Sequence, residues 1–144
     1  MTIAAPEAFT SHLMLSSRLI SELANARSIL RTTAERSGPS VIVHAGGELD
    51  ASNESTWRRL LSEAATATTP PSTLVVDTSG LDFIGCCAFA ALAEEAEHCR
   101  RRGVDLRLVS SEPTVARIVA ACGLSDLLPV HGSVDDALSA SADW

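Results

Sequence analysis

The sequence predicts an α/β domain with a central mixed sheet of about four to five strands and helices packed against it. Two observations carry this. Short apolar runs rich in Val and Leu, such as 41–45, 74–77 and 106–109, alternate with longer segments of helical period at 53–67, 86–102 and 113–122. Gly- and Pro-bearing punctuation separates them, at 36–39, 70–71, 103 and 123. Strands joined through helices need crossover connections, so the middle of the sheet should be largely parallel.

The elements follow in order. Within residues 1–26, Phe9, Leu13, Leu19, Ile20 and Leu23 fall loosely on a helical spacing from about Glu7 to Asn25. This reads as an N-terminal extension that covers one edge of the domain, or alternatively makes a homodimer contact; the domain itself spans 27–144. Residues 28–33 and 41–45 read as strands around a turn at 35–39. Gly46 to Asp50 leaves the second strand, and Ser52 or Asn53 can cap a helix to about Ala67, with Trp57, Leu60, Leu61 and Ala64 on one face. Pro70-Pro71 stops it. After a buried strand at 74–77, Asp77-Thr78-Ser79-Gly80 supplies turn chemistry. A helix over 86–102 then places Phe89, Leu92, Ala96 and Cys99 inward, and Gly103 ends it. A strand at 106–109 precedes a short helix opened by Pro113, whose Val115, Ile118, Val119 and Cys122 face the core. Val130 begins a last short strand, and 134–140 form a terminal helix.

The 144 residues fit one domain, and 46% hydrophobic content with only 3% aromatics means a core of Ala, Val, Leu and Ile. The net charge is −7 and lysine is absent, which argues against nucleic-acid binding. Arg100, Arg101 and Arg102 form the single basic cluster, at a helix C-terminus where cations favour the macrodipole. No apolar run approaches the ~20 residues that span a bilayer, and no basic segment leads an apolar one at the N-terminus. The expectation is a cytoplasmic protein with four reduced cysteines and no direct membrane insertion.

The most informative stretch is 74–89, LVVDTSGLDFIGCCAF: a buried strand, a turn, and a helix opening on two adjacent cysteines. It resembles the central motif of the STAS family, the fold of bacterial anti-sigma-factor antagonists. Members read Phe-x-Asp-Ser-Ser-Gly-Leu where this chain has Phe83, Ile84, Gly85, Cys86, Cys87, Ala88 and Phe89. Gly47-Glu48-Leu49-Asp50 resembles their Gly-x-Leu-Asp, and the pieces from Val104 to Leu138 follow in family-like order. In the family the first Ser of the motif is phosphorylated by a partner kinase, and the added charge breaks the complex. Here Cys86 holds that position, so no phosphorylation is expected at the usual site.

The resemblance implies an interaction module that binds an anti-sigma factor, a serine-protein kinase of the anti-sigma type, through Asp50, Ser52, Asn53, Gly85, Cys86 and Cys87. It calls for no cofactor. Asp50 is expected to act as a loop-end carboxylate whose charge reversal leaves the fold intact. Alternative readings are a regulatory STAS subunit of a membrane transporter and a nucleotide- or small-ligand-binding STAS protein. At a helix start Cys86 could serve as a redox or metal-sensing thiol, or with Cys87 simply fill space. Cys99 and Cys122 lie on apolar stripes and read as core. Enzyme constellations are missing: there is no Gly-rich phosphate loop, Cys-x-x-Cys, nucleophile elbow or His-Glu-x-x-His. His98 lies near a solvated helix face, His44 and His131 stand isolated, and Asp50 and Asp77 sit at strand ends as turn caps. No metal site is expected.

Overall fold

The strand segments at 41–44 and 74–77 pair as parallel neighbours, and helices pack on both faces of the sheet they centre. The computed structural model describes residues 10–12, 15–19 and 30–141. In chain order these form β1 (Thr10–His12), β2 (Leu30–Ser37), β3 (Ser40–Leu49), a 3-10 turn (Ala51–Asn53), α1 (Glu54–Ala67) and β4 (Ser72–Ile84). Then come α2 (Cys86–Arg101), β5 (Val104–Val109), α3 (Pro113–Ala121), β6 (Val130–His131) and α4 (Val134–Ser141). Among the described residues the sheet has six strands, in sequence order. β1 pairs with β2 and β2 with β3 antiparallel, whereas β3 through β6 are parallel. The expected mixed α/β class holds, with short β1 and β6 bringing the count to six.

The helices sort by face. α1, α2 and α3 bury Trp57, Leu60, Leu61, Phe89, Leu92, Val115 and Val119 against Val41, Val43, Leu74, Val76, Leu106 and Leu108. α4 covers the opposite face, where Ala137 meets Ile42, Val75 and Val109. The near-continuous burial of residues 72–76 follows from this two-sided cover. Trp57 is fully buried, and its indole Nε1–H donates to the Ala88 carbonyl at 3.4 Å, tying α1 to α2. The basic cluster also has work here. Arg102 donates to the carbonyls of Ala65 at 2.7 Å and Thr68 at 3.3 Å, adding to the Thr68 amide that already reaches the Ala65 carbonyl at the end of α1.

Several sequence-based boundaries move. β2 runs to Ser37, so the turn shrinks to Gly38-Pro39, with Gly38 at φ +61° supplying the positive first position of a two-residue hairpin. β3 continues through 46–49 rather than leaving the sheet, and β4 continues through the expected turn at 77–80 to Ile84. The glycines explain both. Gly46 faces Gly80 across the strands, and a Cβ on Gly80 would sit 3.0 Å from the Ala45 carbonyl oxygen. The bare backbones let the ladder pass two register shifts, with Gly47 at φ +91°, and resume at Glu48↔Phe83 and Leu49↔Ile84.

In α3 only Val115 and Val119 are buried; Ile118 is 37% exposed and Cys122 is exposed, against the expected core positions. The helix has nine residues and buries a single i, i+4 stripe, which leaves the neighbouring 118/122 stripe on the solvent side. Of the helix expected over 7–25, Phe9, Leu13, Ile20 and Leu23 lie outside the described residues. Within them, Thr10–His12 is a strand rather than a helix, paired to β2 with Thr10 opposite Ser37, because the free edge of β2 offers unpaired backbone groups. Residues 17–19 are helical, and Leu19 is fully buried in the main core. The Ser16 amide and hydroxyl both donate to Glu63, at 2.8 and 2.7 Å.

The Gly46/Gly80 crossing yields a test. Gly80→Ala should cost about 1–3 kcal/mol, since the contact is with backbone that cannot turn aside. Gly132→Ala meets nothing within 4 Å and should be neutral or stabilising by up to about 1 kcal/mol. Urea unfolding of the two variants checks this; equal stabilities would contradict the close approach.

Candidate functional site

β3 and β4 end at the same level, with Leu49 opposite Ile84, and the chain turns out of both strands side by side. The Gly85 amide donates to the Leu49 carbonyl at 2.8 Å, extending the ladder one step beyond β4. A Cβ on Gly85 would lie 3.4 Å from that oxygen and 3.7 Å from the Asp50 Cα. Those are ordinary contact distances, so it is the hydrogen bond from the Gly85 amide to Leu49 that seats the start of α2 against the turn at 50–53. Asp50, Ser52, Asn53, Gly85, Cys86 and Cys87, separated by more than thirty residues of chain, come to one end of the sheet.

Asp50 organises the turn. Its Oδ1 accepts from the Ser52 amide at 2.9 Å and the Ser52 hydroxyl at 2.6 Å. Its own amide donates to Asn53 Oδ1 at 3.0 Å, closing a capping box around the 3-10 turn. Asn53 Nδ2 donates back to the Glu48 carbonyl at 3.0 Å, and Asn53 is buried. Two expectations change. The capping side chain is Asp50, not Ser52 or Asn53, and charge reversal at Asp50 would remove a cap the turn depends on. Asn53 spends both ends of its amide inside the loop, while Ser52 is exposed. Bonds from the Ser52 hydroxyl and amide, opposed by slight burial, hold the Asp50 carboxyl below its usual range.

Cys86 is the first residue of α2 and is exposed; Cys87 is half-buried. No side chain caps this helix, and its first turn carries no acidic residue. Cys99 lies in the core, where burial, reinforced by Glu95, pushes its thiol up to about 12. Among the described residues no group of three or more His, Cys, Asp and Glu could hold a metal ion. Among them also, no helix is long and apolar enough to cross a membrane.

Two histidines that looked isolated have partners across strands that were distant in sequence. His44 Nδ1 lies 3.0 Å from Asp77 Oδ2, and its Nε2 lies 3.8 Å from Glu35. Asp77 is thus within β4, not at a strand end. Burial alone would raise its carboxyl, but bonds from Ser79 and His44 outweigh that and hold it low. His44 and Asp77 border an open cavity of ≈ 330 Å³ with Arg31, Gly46 and Gly80. His131 Nε2 sits 3.0 Å from Arg107 Nη1; burial, with the cation beside it, lowers the imidazole. The strand alternation placing His44 and Asp77 on one face was the available signal, but it required the register.

The thiols should react in the order of their exposure. Brief iodoacetamide treatment of the native protein should label Cys86 and Cys122 first, Cys87 more slowly and Cys99 last, read by mass spectrometry. Early loss of the Cys99 thiol would contradict its burial. The carboxylates set an acid dependence. A folded value below the unfolded one gives stability that is present above the unfolded value, about pH 4, and lost as pH falls through the folded one. Asp77→Asn should therefore flatten the fall in urea midpoint between about pH 5 and pH 3. An acid limb identical to that of the parent would show that Asp77 is not held low.

Comparison with known proteins bears on this surface. A candidate anti-anti-sigma factor of Mycobacterium tuberculosis, Rv2638, is 57% identical over 124 residues, 86% of this chain and 84% of its own. The anti-sigma-F factor antagonist RsfA of the same organism is 58% identical over 112 residues, 78% of this chain and 88% of its own. The crystal structure of an anti-sigma factor antagonist from Mycobacterium paratuberculosis shares the fold, with a TM-score of 0.70 at 24% identity, covering 79% of this chain and 95% of that one. Residues 31–137 match the STAS domain, and the chain belongs to the STAS domain family.

Proposed function

We propose that the protein is an anti-sigma-factor antagonist of the cytoplasm, a regulator and not an enzyme. It binds an anti-sigma factor through the surface built by Asp50, Ser52 and the start of α2, and so frees a sigma factor for transcription. The observation that carries this reading is the juxtaposition of the Asp50 turn with Cys86, held by the Gly85 amide on the Leu49 carbonyl. Its support comes from two relatives above 55% identity that bear antagonist names. Residues 27–144 form the unit that carries this activity, with 1–26 as an N-terminal extension.

Cys86 stands where the family motif has its phosphorylated Ser, and no Ser, Thr or Tyr lies between Phe83 and Phe89. The surface is therefore held in the form that binds, because a thiol resembles the unmodified hydroxyl in shape and cannot take the phosphate that a kinase places on serine. Incubation with ATP and an anti-sigma kinase should place no phosphate on 83–89. Phosphopeptide mapping that found stoichiometric phosphate at Thr78 or Ser79 would show that the switch had moved.

Substitution at Cys86 tests the contact without disturbing the Asp50 cap. With purified anti-sigma-F factor, the named target of RsfA, as the probe, Cys86→Ser should bind like the parent. Cys86→Glu should weaken binding at least tenfold, since a carboxylate there imitates the disruptive charge while remaining favourable at a helix start. Calorimetric titration measures both. Equal binding by all three proteins would remove this surface from the interface.

A further inference from the structure

β4 is longer than its neighbour on one side. β5 pairs with it from Ser72↔Val104 to Asp77↔Val109 and then departs. The departure is enforced locally: the Thr78 hydroxyl donates to the Val109 carbonyl at 2.8 Å, and the Ser110 amide turns to the His131 carbonyl at 3.0 Å. Residues 78–84 of β4 are thus paired with β3 on one edge, while among the described residues no strand pairs with their other edge. Beside that free edge lies a cleft of ≈ 250 Å³. One wall is the β4 overhang, with Leu81, Asp82 and Phe83; the other is Glu112, Val115 and Ile118 at the start of α3.

Three features of the cleft point the same way. The two large apolar side chains that stand exposed among the described residues, Phe83 at 53% and Ile118 at 37%, both line it. Its lining carries two carboxylates, Asp82 and Glu112, and no cation. A free strand edge recognises an extended chain through main-chain bonds, with alternate side chains entering pockets. We propose that the cleft takes an extended segment of the anti-sigma partner, alternating basic and apolar residues, as an added strand on β4. The inference rests on the antagonist reading for the identity of the partner. Phe83, whose ring lies 3.6 Å from a Cβ position on Gly85, joins the cleft to the surface at Cys86. The added strand supplies register and grip, and the acidic rim selects for positive charge.

The test uses the full chain and a short end-blocked peptide of alternating arginine and valine, with a glutamate-valine peptide as control. Amide hydrogen exchange should slow several-fold at residues 79–84 with the basic peptide and remain unchanged with the acidic one. Asp82→Lys and Glu112→Lys, both at exposed positions, should each weaken the basic peptide several-fold. Unchanged exchange at 79–84, equal protection by the acidic peptide, or indifference to both substitutions would overturn the proposal. Purified anti-sigma-F factor separates the two readings. A complex that forms but leaves 79–84 exchanging as in the free protein overturns the strand addition alone. Absence of any complex, with the basic peptide still protecting 79–84, tells against the antagonist reading alone.

Discussion

The parallel pairing of β3 with β4 is the constraint on which the rest depends. It buries the two central strands between helices, and at its far end it determines which loops meet. Sustaining it through 46–49 and 80–84 depends on Gly80, because a side chain there would press on the Ala45 carbonyl. Once past that crossing, Leu49 and Ile84 finish together and Gly85 closes the ladder on Leu49. The Asp50 turn and the α2 start are then neighbours by construction, with no long side chain needed to join them.

The same pairing divides the molecule by chemistry. The helical face is close-packed around Trp57 and the aliphatic rows of α1 and α2, and it tolerates little change in volume. The end of the sheet is polar and hydrogen-bonded: Asp50 and Asn53 hold the turn, exposed Ser52 gives its amide and hydroxyl to Asp50, and Cys86 faces out. Asp50 and Asn53 position, Cys86 presents, and Ser52 does both. This is why the acidic cap is a poor place to probe binding and the exposed thiol a good one.

Much of this was legible in the sequence where periodicity is strong. The inward stripe of α2 at Phe89, Leu92, Ala96 and Cys99 and the face of α1 at Trp57, Leu60, Leu61 and Ala64 are buried as their spacing demands. Local chemistry misled where pairing overrode it. Asp77-Thr78-Ser79-Gly80 has the composition of a turn, yet Gly80 serves close strand approach and Asp77 holds His44. Ile118 and Cys122 were drawn to the core by being apolar, but a nine-residue helix buries only the stripe through Val115 and Val119. The six residues proposed for the site come from resemblance to a family motif. Their division into cap and surface was not, because it rests on hydrogen bonds formed only after the strands are in register.

The central claim is that this end of the sheet displaces a sigma factor from its inhibitor. The most direct measurement is transcription in a purified system containing RNA polymerase, a sigma factor and its anti-sigma-F factor, with this protein added in increasing amounts. The account predicts that transcript returns in proportion to the protein added, with and without ATP, since the motif from Phe83 to Phe89 offers no hydroxyl to phosphorylate. Transcript that stays repressed by this protein while the relative RsfA restores it in the same mixture would contradict the account.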